Sequence, residues 1–426
     1  MLKKLGEVAD FTNGGAWTPD EYVESGIPVV RVSDIQNETI NLQQCKYLLP
    51  ESISKYKKHT LFQGDLVIAT VGSHPTQPGS VVGRPGIVPQ YVQGALLNQN
   101  AVRIAPANNY LDKKYLAYLG KSQFFRNYII RHARGSANQV RMSIGLLKEM
   151  EVLLPPLPIQ RKIAAILSAY DRLIENNTRR IEILEEMARS IYREWFVKFR
   201  FPGHEQVQMV DSELGLIPEG WEVAKLGDVS CVIPGYAFKS KDWQKTGIPV
   251  IKIKNINANN TVDIQQTDFV SQSILTPKLK KYLLKGGEFL IAMTGATAGK
   301  VGKLRTKEPM LLNQRVAKIE PLYNYRSYIW QIISSEEGQN RFFKLADGAA
   351  QPNMSGLQIE EVRIILPFLS LCTDFDSIVN DIYRQIDNFI FRNQILRETR
   401  DLLLPRLISG EIDVENLDIN TGEIAA

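Results

Sequence analysis

Ten positions, Ile163, Leu167, Tyr170, Ile174, Asn177, Ile181, Leu184, Ala188, Ile191 and Trp195, follow one another in steps of four and three through a stretch without glycine or proline. That is the heptad seam of a coiled coil. The spacing predicts one helix over about Ile159 to Phe199, with Pro155, Pro156 and Pro158 punctuating its start. At 1.5 Å per residue it would run about 55–60 Å, too long for an ordinary globular packing partner to cover. A second long helix is needed, and the chain supplies one 212 positions later, over about Asp374 to Ile408. The same phase there falls on Phe375, Val379, Ile382, Ile386, Phe389, Asn393, Leu396, Arg400, Leu403 and Leu407. Asn177, Asn393 and Arg400 are the polar seam positions; each either fixes register or marks a seam that frays toward water, and the mid-helix place of Asn177 favours register.

The offset between the helices belongs to a tandem duplication of the whole chain. Lys4-Leu5-Gly6-Glu7-Val8 recurs as Lys225-Leu226-Gly227-Asp228-Val229, and Gly26-Ile27-Pro28-Val29-Val30 as Gly247-Ile248-Pro249-Val250-Ile251. Gly64-Asp65-Leu66-Val67-Ile68-Ala69 matches Gly287-Glu288-Phe289-Leu290-Ile291-Ala292, and Leu96-Leu97-Asn98-Gln99 matches Leu311-Leu312-Asn313-Gln314. Each half ends in Leu-Pro before its helix. The organisation is therefore a domain over 1–154, a helix over 155–200, a connector of turn-forming residues over 201–222, a second domain over 223–366, a second helix over 367–410 and a polar, acidic tail over 411–426. The fold class is α+β. The two helices offer each other a seam.

What the halves share is strand-like or turn-forming and reads as scaffold. What they do not share is loops: Gly72 to Pro89 has little in common with Gly295 to Pro309, and Gln36 to Lys57 little with Asn257 to Lys280. One scaffold bearing two loop sets implies two related ligands read by one geometry. The aromatics of Leu111 to Ala133 sit at helical spacing and read mainly as core.

The search for chemistry excludes most catalytic classes. Gly295-Ala296-Thr297-Ala298-Gly299-Lys300-Val301 is one residue short of a phosphate loop and has Val where Ser or Thr should hold the metal. His59, His74, His132 and His204 have no ligand spacing with one another or with cysteine, so zinc is not expected. There is no Gly-x-Gly-x-x-Gly, no Gly-x-Ser-x-Gly and no Pro-Pro-aromatic tetrad. Asp112-Lys113-Lys114 reads as a solvated helix start rather than a nuclease triplet. Cys45, Cys231 and Cys372 are scattered and read as free thiols of a reducing cytoplasm. No apolar run approaches a membrane span, and a net charge of +5 permits a polyanionic partner.

In order, and twice over, these phrases resemble the specificity (S) subunit of Type I restriction–modification systems. The resemblance rests on Lys225-Leu226-Gly227-Asp228, Thr246-Gly247-Ile248-Pro249, Ala292-Met293-Thr294-Gly295-Ala296-Thr297 and Leu312-Asn313-Gln314-Arg315. It also rests on Leu154-Pro155-Pro156-Leu157-Pro158-Ile159-Gln160, Ile217-Pro218-Glu219-Gly220-Trp221 and Leu403-Leu404-Pro405-Arg406-Leu407-Ile408-Ser409-Gly410-Glu411-Ile412. Two departures stand out: the second helix start, Leu366-Pro367-Phe368-Leu369-Ser370-Leu371-Cys372, lacks the second Pro and the Gln, and the first half has Val71-Gly72-Ser73-His74 at the Gly-x-Thr-x-Gly-Lys loop.

The resemblance implies a non-catalytic DNA-reading subunit that binds no cofactor itself. It would hold two modification subunits, which carry S-adenosylmethionine and methylate adenine, and recruit restriction subunits that use ATP and Mg. Each domain would read half of a split, asymmetric site, with the helices as spacer. The resemblance also implies that the two helices pair as an antiparallel coiled coil related by a rough twofold, which would bring Leu2 to Val8 close to the tail near Gly410 to Val414. Base edges in the major groove call for Arg or Lys to guanine and Asn or Gln to adenine. The candidates are Arg31, Ser33, His74, Gln77, Arg84, Asn138, Gln139 and Arg141 in the first half, and Lys252, Lys254, Asn255, Thr297, Lys300, Lys303, Gln351 and Asn353 in the second. Phosphate contacts and plain solvated loop positions compete with base reading for each of them. A different class, a duplicated scaffold holding two protein or glycan ligands at a fixed separation, also fits the loop divergence.

Overall fold

The computed structural model describes residues 1–74, 80–136, 139–346 and 353–421. The chain divides into two compact units, Met1–Asn176 with Arg392–Ala426, and Asn177–Phe391. Each takes in one globular domain and part of both long helices.

In the first unit the run Leu66–Ala69 is buried at every residue. Side chains alternate across a strand, so one short apolar run serves two cores. Leu66 and Ile68 face a cluster with Tyr115, Leu119 and Phe125 of the following helices, while Val67 and Ala69 face Val30, Ile40 and Leu97. The second unit repeats this with Phe289 and Ile291 on one side and Leu290 and Ala292 on the other. In both, the buried strand pairs antiparallel with a longer one, Ala101–Pro106 or Val316–Pro321. The phrases Ile27–Val30 and Ile248–Ile251 pair parallel with Leu96–Leu97 and Met310–Leu312, and the register is the same: Leu97 opposes Val30, Leu312 opposes Ile251. Even the outer ladder recurs, Leu2–Lys4 on Glu151–Leu153 and Glu222–Lys225 on Arg363–Leu366.

Helices of nine and ten or eleven residues follow the longer strand in each domain, Lys113–Lys121 with Gln123–His132 after Ala101–Pro106, and Arg326–Ser334 with Glu336–Ala346 after Val316–Pro321. Asp112 caps the first of them, accepting from the Tyr115 amide at 2.9 Å, as a solvated helix start should. Tyr115, Tyr118 and Phe125 are buried, in line with the core reading, whereas Phe124 is exposed.

The first long helix runs Leu157–Tyr192 and continues as a π-helical turn over Arg193–Val197. The second runs Leu369–Ile408, five residues earlier at its start than the heptad pattern alone suggests, because Leu371 and Cys372 are already packed into the core. None of the seam residues is exposed, while the positions between them mostly are. Within each unit the two helices run antiparallel. In the first, Ile163 and Leu167 share a core with Leu403 and Leu407, and Asp171 meets Arg400 at 2.6 Å. In the second, Ile181, Leu184, Ile191 and Trp195 pack against a cluster holding Phe375, Val379, Ile382 and Ile386. Asn393 is 3 % exposed and donates to the Ile174 carbonyl at 3.3 Å, so it is a satisfied seam residue rather than a frayed one.

The connector is more regular than its turn-rich composition suggests. Met209–Ser212 and Gly215–Pro218 form an antiparallel hairpin, closed by Glu213-Leu214 with Gly215 at φ +99°. Phe201, Ile217 and Trp221 are buried, and Phe201 stacks on Trp221 at 5.3 Å. The expected closeness of the N-terminal strand and the tail holds within the first unit. Leu5 and Val8 share a core with Leu407, Ile408 and Val414, and Lys162 Nζ donates to the Glu415 carbonyl at 2.6 Å. All three cysteines are free thiols.

Candidate nucleic-acid interface

The interface is built around a turn that both halves share. In the first unit the Gly15 amide donates to Leu97 O at 2.7 Å and the Asn98 amide to Val30 O at 2.9 Å; in the second, Tyr236 donates to Leu312 O at 2.8 Å and Asn313 to Ile251 O at 3.0 Å. The Leu-Asn-Gln turn therefore lies flush against a glycine in each domain. A Cβ on Gly14 would stand 1.9 Å from Asn98 O, and one on Gly235 2.3 Å from Asn313 O, distances no side chain can occupy. This turn also holds the start of each divergent loop, through Thr70 N to Asn100 O at 2.8 Å and Met293 N to Arg315 O at 3.0 Å.

In the first unit the divergent loop and the 139–141 stretch, separate in sequence, are brought together. Val71–Gly72 and Gln139–Arg141 are neighbouring strands, Val140 opposite Gly72 and Arg141 opposite Val71. Arg141 is exposed, and across the ladder it faces Arg134, also exposed. Two like charges directly opposite destabilise a ladder, which is tolerable where an anion is to lie between them. Arg134 escaped the sequence reading, and its signal was present: a second arginine flanking the same hairpin. Arg84 staples the loop, its Nη1 donating to Ile35 O and Nη2 to Ser80 O, both at 3.1 Å. His74 is half-buried at the loop's start. Gln77 and Asn138 lie outside the described residues, as does the side chain of Gln139.

Arg31, half-buried, and Ser33, exposed, are both tied to Asp34. Arg31 makes a two-point contact to Asp34, Nε to Oδ2 at 3.1 Å and Nη2 to Oδ1 at 3.0 Å, and Nη2 also reaches Gln44 O. Ser33 Oγ donates to the same carboxylate at 3.1 Å. Asp34 is buried and caps its own turn from the Arg31 amide.

Asn255 occupies the matching place in the second unit and corrects the sequence reading. It is 1 % exposed. Its Oδ1 accepts from the Lys252 amide at 2.9 Å and its Nδ2 donates to Asp263 O and Gln266 O. It caps a turn and has no group left for a base. Lys252 and Lys254 converge on Asp268 at 2.9 and 3.0 Å, which by their hydrogen bonds lower its pKa. Lys252 also lies 3.5 Å above the Trp243 ring.

Lys303 is corrected too. It ends a strand at 9 % exposure, paired with Asp387 of the second long helix at 3.0 Å beside Arg305. Burial pulls its pKa down against the pull of Asp387. It anchors sheet to helix. Thr297 and Lys300 belong to the Gly-x-Thr-x-Gly-Lys loop, which runs straight into the strand Val301–Lys303 instead of opening a helix, so it lacks the architecture of a phosphate loop. Gly299, at φ +83°, lies 2.8 Å by its ideal Cβ from Gln339 O and Phe343 N: the loop is pressed on the flank of Glu336–Ala346. Beside it a cleft of about 410 Å³ is lined by Lys300, Asn260, Gln339 and Asn340. Thr294 bridges to Asn353, exposed, at the position Arg141 holds in the first unit. Gln351 lies outside the described residues. Among the described residues no group of three or more His, Cys, Asp or Glu could hold a metal ion, and no helix is long and apolar enough to cross a membrane.

The family model described as the Type I restriction modification DNA specificity domain matches residues 1–186 and again 218–391, one match for each of these sites. The chain belongs to the Type I restriction–modification specificity-subunit family. It is 27% identical over 435 residues to the Type I restriction enzyme MjaIX specificity subunit of Methanocaldococcus jannaschii, covering 98% of this chain and 93% of that protein. To the HindI specificity subunit of Haemophilus influenzae it is 22% identical, covering 90% and 94%. The crystal structure of the Type I S subunit from M. genitalium shares the fold at a TM-score of 0.58 and 17% identity, covering 96% of this chain and 95% of that one. As a member of the specificity-subunit family the chain is a non-catalytic DNA-recognition subunit, and the protein- or glycan-binding scaffold falls away.

Proposed function

We propose that each unit reads one half of a bipartite, asymmetric duplex site and that the paired long helices set the spacing between the halves. The observation that carries this reading is the pairing of one scaffold, repeated to the same strand register and the same Leu-Asn-Gln turn, with two loop sets that turn presents and that differ in sequence. In the same reading the chain docks two modification subunits, which bring S-adenosylmethionine and methylate adenine, and recruits restriction subunits that bring ATP and Mg. It holds no cofactor of its own and works in the cytoplasm. The exposed Arg134, Arg141 and Asn353, with the half-buried Lys300 beside its cleft, are the side chains best placed to meet DNA.

Methylation-aware sequencing of the host genome, with and without an intact gene for this chain, tests the proposal. A split motif with two fixed halves and a constant spacer, lost with the chain, is the expected result. A continuous motif, or one that persists without the chain, would refute it. Calorimetry on the purified chain should show no stoichiometric binding of S-adenosylmethionine.

A further inference from the structure

Each domain carries a one-turn 3₁₀ helix of the same make, Lys57–His59 in the first and Lys280–Tyr282 in the second. The two are related by the same offset that relates Gly64 to Gly287. Each turn leads directly into a residue that pairs beside the shared Leu-Asn-Gln turn: Thr60 bridges to Leu96, and Leu283 opposes Leu311. A ring closes each turn and is backed by another, His59 by Tyr56 at 6.4 Å and Tyr282 by Tyr236 at 5.6 Å. All four lysines are exposed. Lys55 nearby is committed to Glu21 at 3.1 Å, whereas no carboxylate of the described residues comes within 4.0 Å of Lys57, Lys58, Lys280 or Lys281.

The surroundings make the repetition informative. Residues 18–62 carry five Lys and Arg against six Asp and Glu, while the matching 239–285 carry nine lysines against three aspartates. Overall charge is therefore not what the halves have in common; the paired lysines at this turn are. Features that differ between the halves suit what differs between two half-sites, the base edges. A feature that is the same suits what every half-site shares, the phosphodiester backbone.

We propose that Lys57-Lys58 and Lys280-Lys281 are equivalent phosphate contacts that seat each domain on duplex DNA whatever its sequence. The inference rests on the DNA-reading function above. Its test uses the chain assembled with its modification subunits, binding two labelled duplexes, one with the mapped motif and one scrambled, across a series of salt concentrations. Lys57→Gln with Lys58→Gln, and separately Lys280→Gln with Lys281→Gln, should weaken both duplexes by one common factor. Each pair should flatten the slope of log affinity against log salt by up to about 1.8, at about 0.9 for each phosphate no longer neutralised. The methylated motif should not change, and Lys57→Arg with Lys58→Arg should restore the slope. An unchanged slope would overturn the proposal, as would a variant that loses only the mapped duplex or methylates a new motif. If the unaltered complex fails to distinguish the two duplexes, the DNA-reading function itself is what falls.

Discussion

At the scale of single residues, burial separated the candidate readers. Lys303 and Asn255 have the donors that base edges want, but one ties sheet to helix and the other caps a turn. Nothing in residue type or spacing distinguishes such a position from an exposed one; it takes the packing. The glycines are the reverse case. Gly14 and Gly235 recur in the sequence without a stated reason, and the structure supplies it in the carbonyl that lies where a Cβ would go. Gly14→Ala should destabilise the first unit by about 1–3 kcal/mol or more, because a backbone oxygen cannot swing aside. Gly145→Ala, whose Cβ would meet only Ser143 Oγ at 3.5 Å, should be close to neutral. Thermal unfolding of the two variants checks this; equal effects would contradict it. A second residue-scale expectation concerns Asp171, which accepts from Tyr118 at 2.7 Å and from Arg400 at 2.6 Å. Burial raises its pKa, but Lys121, Tyr118 and Arg400 together outweigh that and hold it below the usual carboxylate value. A depressed folded-state pKa contributes stability that is fully present above the unfolded value of about 3.9 and is lost as pH falls through the folded one. Arg400→Met should lower stability at neutral pH by about 1–3 kcal/mol, a range kept below that of a fully buried pair because the carboxylate is partly exposed. The variant should also show a smaller further loss on going to acid. Urea unfolding over a pH series measures both.

At the scale of elements, periodic signals were the legible ones. The heptad phase located both long helices, since a seam repeated every seven residues has few other solutions. Where the signal is local it fails: the connector over 201–222 reads as turn-forming, yet Met209–Ser212 within it forms half a hairpin, and the second helix begins before its pattern does. The two helix starts show how one anchoring job can move. Gln160 is fully buried, accepting from the Asp112 amide and donating to Tyr110 O and Pro155 O, all at 2.8 Å. At the matching place Cys372 is packed among apolar groups, its thiol pKa pushed up to about 12 by burial. There Asp376, one turn on, catches the Ser327 amide at 3.0 Å instead. Gln160→Leu should therefore destabilise the first unit alone by about 1–3 kcal/mol, the cost of leaving buried backbone groups unpaired. Amide hydrogen exchange should quicken at Asp112 and its neighbours. Equal quickening in the second unit would contradict the assignment.

At the scale of the whole molecule, duplication made the organisation readable from one sequence, because each half served as the control for the other. Sequence could not rank the loop residues by access to DNA, nor find Arg134 and the lysine turns, whose meaning depends on what lies beside them in space. If the helices set the distance between half-sites, four residues inserted between Asn177 and Thr178 add about 6 Å of helix. At about 3.4 Å per base pair the preferred spacer should lengthen by one or two base pairs with both halves unchanged, although the broken heptad should also weaken binding. The most direct measurement is methylation mapping in cells whose chain has residues 72–84 replaced by the corresponding loop of another family member. One half of the methylated motif should change, while the other half and the spacer stay as they were. If both halves change together, the domains do not read independently and the account is wrong.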